Sequence, residues 1–211
     1  MIIITSFKLV LNTSAGFFYV FSDELAEDSC CPLCGDILIY RDSRLRGVKD
    51  LVGFKIFYLL RRLRCCLCRK LHTEIPDIIQ PFKHYDSATI QCVIDESEDA
   101  GLCGADNATI RRWKTSFTEA EPDLAQRLAS VYAQETDEKV PLASPAMTFA
   151  AIRATIERWL SFVMHLLINN GHKLFTRFAF CPSPPNAKIS QIGQKNRTGG
   201  RQNDKTIENT G

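Results

Sequence analysis

The sequence predicts an α+β protein that is mostly α, in which a small N-terminal β ribbon precedes a helix-turn-helix and further helices. Three observations predict this class. Cysteine pairs and alternating apolar residues concentrate in 30–76, three short helical patterns follow in 82–118, and longer helical patterns occupy 122–170. The 211 residues are 45% hydrophobic and 24% charged, which excludes a wholly disordered chain.

Residues 1–29 form an apolar, β-prone lead ahead of these units. No basic segment precedes its apolar start, so we expect no secretory signal. The longest uncharged apolar stretch, 159–171, has 13 residues, too few to cross roughly 30 Å of hydrocarbon. The nine cysteines are odd in number and crowded, with six of them inside 39 residues, unlike a disulfide scaffold. We therefore expect a cytoplasmic, nucleoid-associated protein with reduced thiols and no membrane partner.

Two C-x2-C pairs dominate the ribbon. They are Cys31-Pro-Leu-Cys34, followed by a glycine, and Cys65-Cys-Leu-Cys68, and 30 residues separate them. Thiolates three positions apart in a tight turn can both reach one Zn²⁺ at about 2.3 Å, and two such turns complete a tetrahedron. The spacing therefore predicts a structural Zn²⁺ bound by Cys31, Cys34, Cys65 and Cys68. Four thiolates leave no open coordination position, so this zinc would stabilise the fold and do no chemistry.

Neighbouring residues leave the ligand set partly open. Cys30 and Cys66 lie beside the preferred ligands but give less suitable spacings, and His72 is a possible substitute ligand just beyond the second pair. The remaining cysteines are expected to be ordinary thiols: Cys92, Cys103 and Cys181.

The ribbon is also the basic part of the chain. Apolar runs at 37–40 and 54–64 predict strands, with turns marked by Gly47 and Gly53. Residues 41–70 hold ten basic and two acidic residues, a net +8, whereas 71–145 hold six and fourteen, a net −8. Local positive charge of this kind favours a polyanion-facing surface, and a solvated strand face is the open alternative.

Residues 82–118 fit a helix-turn-helix. Asp86 or Ser87 can cap a first helix, a short second piece ends at Gly104, and Asp106 or Asn107 can cap a third helix that extends to 117. In such a unit the third helix presents its N-terminal residues to the major groove. A tri-helical packing unit with solvated arginines is the alternative.

The expected DNA contacts fall into two groups. Amide and guanidinium groups recognise adenine and guanine, so base-edge contacts are predicted on the third helix from Asn107, Thr109, Arg111 and Arg112. Phosphate contacts are predicted from Lys114 and from three ribbon arginines, Arg61, Arg62 and Arg64.

The C-terminal part is predicted to be helical and then disordered. Pro122 is a first-turn residue that predicts a new helix ending near 136, and a strongly apolar helix is predicted over 147–169. Its apolar surface is expected to pack in the core, and dimerisation is an open addition. Residues 182–211 are polar and predict a disordered tail, or one that orders on a partner.

Four segments together resemble a known pattern. They are Cys-Pro-x-Cys-Gly (31–35), Leu-Arg-Arg-Leu-Arg-Cys-x-x-Cys-Arg-Lys-Leu-His-Thr-Glu-Ile-Pro (60–76), Pro-Phe-Lys-His-Tyr (81–85) and Thr-Ile-Arg-Arg-Trp-Lys (109–114). Their order resembles the zinc-ribbon and helix-turn-helix front ends of bacterial transposases, and most closely a family of uncharacterised bacterial proteins, common in Firmicutes, that is associated with mobile elements. The resemblance covers about 30–140 and implies DNA binding. That pattern usually places glycine directly after the second C-x2-C pair, where this chain has Arg69; each C-x2-C turn is called a knuckle below.

No catalytic motif accompanies this architecture. A transposase nuclease needs three carboxylates on an α/β core, and the sequence after 117 predicts no strands to carry them; phosphate loops and hydrolase motifs are also missing. We therefore expect a non-enzymatic zinc-dependent protein that binds double-stranded DNA and acts as an accessory or regulator of a transposable element, with a transposase or a second copy as a further partner. The alternatives are a zinc-ribbon protein-interaction module and, less favoured, RNA binding by the arginine-rich strand.

Overall fold

The computed structural model describes residues 1–23, 29–135 and 144–172, which form a mixed α/β fold of six strands and four α-helices. The predicted mostly-α class is therefore wrong. Its physical reason is that the 1–29 lead contributes three strands, and that the two ribbon strands have 12 and 11 residues. The predicted tail at 182–211 and Cys181 lie outside the described residues.

The strands form one curled sheet around β5. Their bounds are β1 Ile2–Ile4, β2 Phe7–Asn12, β3 Phe17–Ser22, β4 Leu38–Lys49, β5 Lys55–Cys65 and β6 Leu71–Pro76. Along one edge, β4 pairs antiparallel with β5 over nearly its whole length. The other edge of β5 is divided between β3, which pairs in parallel near Tyr58, and β6, which pairs antiparallel near Leu63. β1 extends the sheet in parallel beyond β6, and β2 extends it antiparallel beyond β3.

The predicted ribbon strands are therefore present, with one difference in the turn. Gly47 was expected to mark a turn but lies inside β4, opposite Phe57. The chain reverses instead between Asp50 and Phe54, where Gly53 has a left-handed φ of 90°. Only glycine adopts this conformation without strain, so the second expected turn position is the one that the hairpin uses.

β5 buries opposite faces at its two ends. In its first half, Tyr58 and Leu60 point into the main core, whereas in its second half Leu63 and Cys65 point from the other face into a small cluster with Cys31 and Leu38. Successive side chains alternate between the faces of a strand, so this switch requires the curl of the sheet. One strand consequently joins the main core to the cysteine cluster.

The helices pack on the main core. Their bounds are α1 Ser87–Ile94, α2 Asn107–Glu135, α3 Pro145–Thr155 and α4 Trp159–Asn169, with a 3-10 helix at Glu98–Leu102. Of the alternative caps, Asp86 accepts the N–H of Thr89 at the start of α1, and Asp106 does the same for Thr109 at the start of α2. No helix in the described ranges has the length and apolarity that a bilayer crossing requires.

The predicted helix start at Pro122 is wrong, because α2 continues through Pro122 as one helix of 29 residues. A proline inside a helix removes one hydrogen bond and costs about 3 kcal/mol or more. Phe117, Leu124 and Leu128 are buried on either side of it and keep one apolar stripe against the core. Burial of this stripe offsets the local cost.

The single helix predicted over 147–169 is also wrong, because the chain leaves helical geometry at Ile156 and resumes it at Trp159. The amide of Gln91 in α1 donates to the carbonyl of Glu157 (2.6 Å) and accepts from the N–H of Leu160 (3.2 Å). These bonds satisfy backbone groups that the break exposes. A distant side chain thus stabilises a break that the apolar periodicity does not indicate.

Candidate functional site

The two C-x2-C segments form a pair of similar turns at one end of the β4–β5 hairpin. In the first turn the N–H of Cys31 donates to the carbonyl of Asp36 (2.8 Å), and in the second the N–H of Cys65 donates to the carbonyl of Lys70 (3.0 Å). Each bond therefore spans five residues and closes a loop around its cysteine pair. The N–H of Cys66 also donates to the carbonyl of Ile37 (3.1 Å), which ties the second turn to the start of the hairpin.

The four predicted ligand sulfurs converge at this end of the sheet. The Sγ atoms of Cys34 and Cys65 are 3.4 Å apart, those of Cys31 and Cys68 are 3.7 Å apart, and all four lie within 4.8 Å of one another. A tetrahedral ion with sulfur ligands at about 2.3 Å requires sulfur–sulfur separations of about 3.8 Å. The cluster therefore has the dimensions of a four-sulfur metal centre.

The electrostatics of the cluster also favour a cation. Burial raises the pKa of the Cys65 thiol, but the N–H of Cys68 and the neighbouring thiols outweigh this effect and bring the pKa to about 7. At Cys34 the N–H of Asp36 favours the thiolate, yet desolvation and the other three sulfurs raise the pKa to about 12. The four sulfurs cannot all carry negative charge beside one another, and a bound divalent cation removes this repulsion.

The three alternative ligands near the cluster occupy different positions. Cys30 and Cys66 are exposed and are not part of the four-sulfur group. His72 is buried, with Nε2 3.4 Å from the Sγ of Cys31 and Nδ1 3.0 Å from the Met1 nitrogen. Burial lowers the pKa of His72 to about 4, so its imidazole is neutral and can donate one hydrogen bond to a Cys31 thiolate. His72 thus orients a ligand from just outside the group of four.

Arg69 supplies the turn geometry that glycine supplies in the first knuckle. Gly35 after Cys34 has a φ of 74°, and Arg69 after Cys68 has a φ of 61°. A non-glycine residue in this left-handed region costs about 1–2 kcal/mol, and the added freedom of an unfolded glycine offsets part of that.

We accordingly expect Arg69→Gly to stabilise the metal-loaded protein by about 0.5–1 kcal/mol. Chemical denaturation of both proteins with metal present would measure the difference. Arg64→Gly in the neighbouring strand is the matched control, and should destabilise because glycine weakens a strand. Equal destabilisation by both changes would contradict the account of the second knuckle.

The residues predicted to contact bases lie at the start of α2. Asn107, Arg111 and Arg112 are exposed there. Thr109 is half-buried, and its hydroxyl donates to the carboxylate of Asp106 at 2.9 Å. Lys114 pairs with Glu96 at 2.5 Å in a solvent-exposed contact. Three of the five side chains are therefore free to reach outward, and two are engaged within the protein.

The predicted ribbon arginines differ in the same way. Arg61 binds the buried carboxylate of Glu74 through two nitrogens, and Arg62 pairs with Asp42 at 2.5 Å. Arg64 lies two residues after Arg62 in β5 and is exposed. The sequence offered no direct sign of these pairings, because each acid lies 13 or 20 residues from its arginine.

The tip of the β4–β5 hairpin lies against the segment that leads into α2. The N–H of Gly104 donates to the carbonyl of Leu51 at 2.8 Å, and the carbonyl of Gly104 accepts from the hydroxyl of Tyr85 at 3.2 Å. A Cβ on Gly104 would lie 2.6 Å from the carbonyl oxygen of Val52, so only glycine allows this approach. This contact makes the hairpin tip and the start of α2 neighbours.

Residues 31–113 match a family described as a domain of unknown function, DUF6431. The matched segment begins at Cys31, the first cysteine of the four-sulfur group, and ends at Trp113 in α2, so it includes both C-x2-C turns, the hairpin and the exposed start of α2. Searches among curated proteins and among solved structures returned no match.

Proposed function

We propose that the protein is a zinc-dependent DNA-binding protein that inserts the exposed start of α2 into the major groove and places the β4–β5 hairpin tip beside it. The observation that carries the proposal is the contact between Gly104 and the Leu51–Gly53 turn. It places the hairpin tip beside the segment that leads to Asn107, Arg111 and Arg112, whereas Arg64 lies near the cysteine end of β5 and would meet phosphate further along the duplex. A helix and an adjoining hairpin of this kind offer a groove contact and a phosphate contact together.

Zinc is the metal that we assign to the four-sulfur cluster. Tetrahedral four-cysteine sites in β knuckles suit Zn²⁺, and its four thiolate ligands leave no position for a substrate. Its role would be to hold the end of the hairpin together, since the cluster around it has only four buried hydrophobic residues in the part of the chain that the structure describes. Cys31, Cys34, Cys65 and Cys68 would bind the ion, and His72 would donate to the Cys31 sulfur.

Base recognition is assigned to two arginines with exposed guanidinium groups. We expect Arg111→Ala or Arg112→Ala to weaken binding to a selected duplex by about 1–3 kcal/mol and to reduce its preference over random duplex. Arg64→Ala should weaken binding to both duplexes equally and make the affinity less dependent on salt. Selection from a random duplex library with the zinc-loaded protein, followed by titrations at several salt concentrations, measures both effects.

Arg127→Ala is the matched control for these changes. Arg127 lies in the same helix but pairs with Asp123, outside the proposed contact surface. It should bind both duplexes as the unmodified protein does. If Arg111→Ala and Arg112→Ala lose as much affinity for random duplex as for the selected duplex, α2 does not recognise bases.

A protein-interaction module is the second candidate, and one observation favours it. Arg61, Arg62 and Lys114 are paired with carboxylates, and Glu98 and Asp99 add negative charge in the 3-10 helix before α2. The surface around α2 is thus less positive than the ribbon sequence alone indicates. Failure of the zinc-loaded protein to shift random duplex at low salt would favour this candidate, with a transposase subunit as the partner to test first.

The role in a mobile element rests on the resemblance of four segments to transposase front ends. The matched region, 31–113, begins where that resemblance begins but ends before 140, and it carries no named activity. A DNA-binding protein without nuclease carboxylates would act as an accessory or regulator of transposition. The sites recovered by library selection would support this role if they match the ends of a mobile element.

A further inference from the structure

One face of the sheet carries a row of aromatic rings that packs on neither core. In β3, the ring centroids of Phe17 and Tyr19 are 5.1 Å apart, and those of Tyr19 and Phe21 are 6.0 Å apart. Tyr19 pairs in register with Leu59 of β5, two residues from Phe57, so the four rings share one face of adjoining strands. We call these four residues the aromatic row.

The aromatic row is separate from the packed interior. The main core takes Phe18 and Val20 from the opposite face of β3, and the cysteine cluster takes its residues from the far end of β5. Phe21 is 51% exposed, and Val10 and Leu45 beside the row are 51% and 48% exposed. An apolar surface of this kind on a sheet is typical of a binding face.

Gly47 leaves room for the Lys55 side chain at the end of the row near the hairpin tip. It lies opposite Phe57 in the register, and a Cβ there would meet the Phe57 ring at 3.0 Å and would collide with Cε of Lys55. Because Gly47 has no side chain, the Lys55 ammonium can lie 5.0 Å from the centre of the Phe57 ring. A glycine within a strand often marks such a close approach.

A lysine lies at each end of the aromatic row. Lys8 pairs in register with Phe21 at one end of the row, and Lys55 lies opposite Lys49 at the other end. The Lys49 ammonium lies 5.3 Å from the centre of the Tyr85 ring, so Lys55 is the lysine at that end whose ammonium lies beside the row. Each end also holds a carboxylate that keeps its negative charge, Asp23 beside the Ser6 hydroxyl and Asp50 beside the Phe54 N–H, so the lysines are the individual phosphate contacts on this face.

We propose that this face binds single-stranded nucleic acid, with unpaired bases stacked on the aromatic row and the phosphate chain running between Lys8 and Lys55. Aromatic rings at alternate positions of adjoining strands stack bases regardless of sequence, and flanking lysines attract the backbone. A second copy of the chain is less favoured as the occupant, because joining two such faces would bring the lysines of both copies together.

The site is distinct from the duplex surface proposed above. The rings of the aromatic row lie on β3 and β5, whereas the duplex surface is built from the start of α2 and the hairpin tip, which Lys55 adjoins. A protein with both surfaces could bind a duplex next to an opened strand. The two proposals therefore succeed or fail separately.

The test uses zinc-loaded full-length protein and fluorescently labelled oligonucleotides of about 12 nucleotides, a length within the usual site size of such faces. Anisotropy titrations with oligothymidine and with oligouridine separate DNA from RNA. We expect Phe21→Ala to weaken binding roughly five-fold or more, since stacking on one ring contributes at least that much. Lys55→Ala should weaken binding and make it less dependent on salt. Phe21→Tyr should bind as the unmodified protein does.

Phe82→Ala is the matched control, because Phe82 is an exposed phenylalanine (58%) outside the aromatic row. It and Arg112→Ala should leave single-strand affinity unchanged, while Phe21→Ala should leave duplex affinity unchanged. The proposal is overturned if single strands do not bind, if Phe82→Ala weakens binding as much as Phe21→Ala, or if sedimentation shows a dimer that Phe21→Ala dissociates. The last result would assign the face to a second copy of the chain.

Discussion

Removal of the metal from the four-cysteine cluster is expected to give the largest loss of stability in this protein. Among the described residues, four buried hydrophobic side chains pack between the two C-x2-C turns and two of these are cysteines, so they supply little hydrophobic stabilisation of their own. Structural zinc contributes about 10–16 kcal/mol of binding free energy in small zinc domains. Because the main core persists here, we expect a loss on the order of 5 kcal/mol, concentrated at the cysteine end of the hairpin.

Cysteine substitutions provide the sharpest form of this experiment. Cys31→Ser and Cys65→Ser should each lose bound zinc and lower the melting temperature, whereas Cys30→Ser and Cys66→Ser should retain both. Each pair compares adjacent cysteines, so composition and local sequence are matched. Metal content by elemental analysis and thermal unfolding measure the outcome. Zinc retention by Cys65→Ser together with its loss from Cys66→Ser would contradict the assigned ligand set.

Loss of zinc should also lower the stability of the strands beyond the knuckles. β5 carries Leu63 and Cys65 into the cysteine cluster and Tyr58 and Leu60 into the main core. Disorder at one end of the strand therefore removes support from β4 and β6, which pair with it. Hydrogen exchange with and without chelator should show protection lost first near Leu63 and later near Tyr58.

The cysteine cluster was predictable from sequence because its geometry is mostly local. Each C-x2-C pair fixes two ligands within one turn, and a hairpin of suitable length brings the two turns together. Each helix cap was predictable to within two neighbouring residues for the same reason, since a cap acts three residues along the chain, and the structure selects Asp86 and Asp106. The unusual Arg69 was also visible, as a departure from glycine at a turn position.

The architecture was less predictable because it depends on contacts between distant segments. The 1–29 lead has β-type composition, but its parallel pairing with β6 and β5 leaves no local mark. The continuity of α2 through Pro122 depends on the core beneath it, and the break before Trp159 depends on Gln91. Local signals at these positions were outweighed by tertiary packing.

The aromatic row was hidden by the pattern of β5 itself. Leu59 and Leu63 lie on one face of β5 and Leu60 lies on the other. Because both faces carry apolar residues, the sequence does not reveal which face is core. The faces exchange roles along the strand, with Leu60 buried in one cluster and Leu63 in the other. Only the curl of the sheet separates the exposed aromatic face from the buried ones.

Loss of the Arg61 side chain is expected to destabilise the fold strongly, although the sequence suggested a surface arginine that meets phosphate. Glu74 is 2% exposed, and its two carboxylate oxygens accept from Nε and Nη2 of Arg61 at 2.5 and 3.1 Å. Arg61→Ala would leave that carboxylate buried without the guanidinium. Breaking a buried pair in this way costs about 3–5 kcal/mol.

Arg62→Ala is the matched control for this prediction, because Arg62 is the next residue and also pairs with a carboxylate. Its pair with Asp42 is more exposed, so water replaces the lost contact and the effect should be much smaller. Urea denaturation of both variants with zinc bound measures the difference. Similar midpoints for Arg61→Ala and Arg62→Ala would contradict the structural role of the buried pair.

A double substitution separates the cost of a buried charge from the loss of packing. Arg61→Met combined with Glu74→Leu removes both charges while keeping apolar volume, and should recover most of the stability that Arg61→Ala loses. DNA affinity measured on the same proteins then becomes informative. If the double variant is stable and binds duplex normally, Arg61 acts through the fold; if it is stable and binds weakly, its guanidinium also contacts phosphate despite its bond to Glu74.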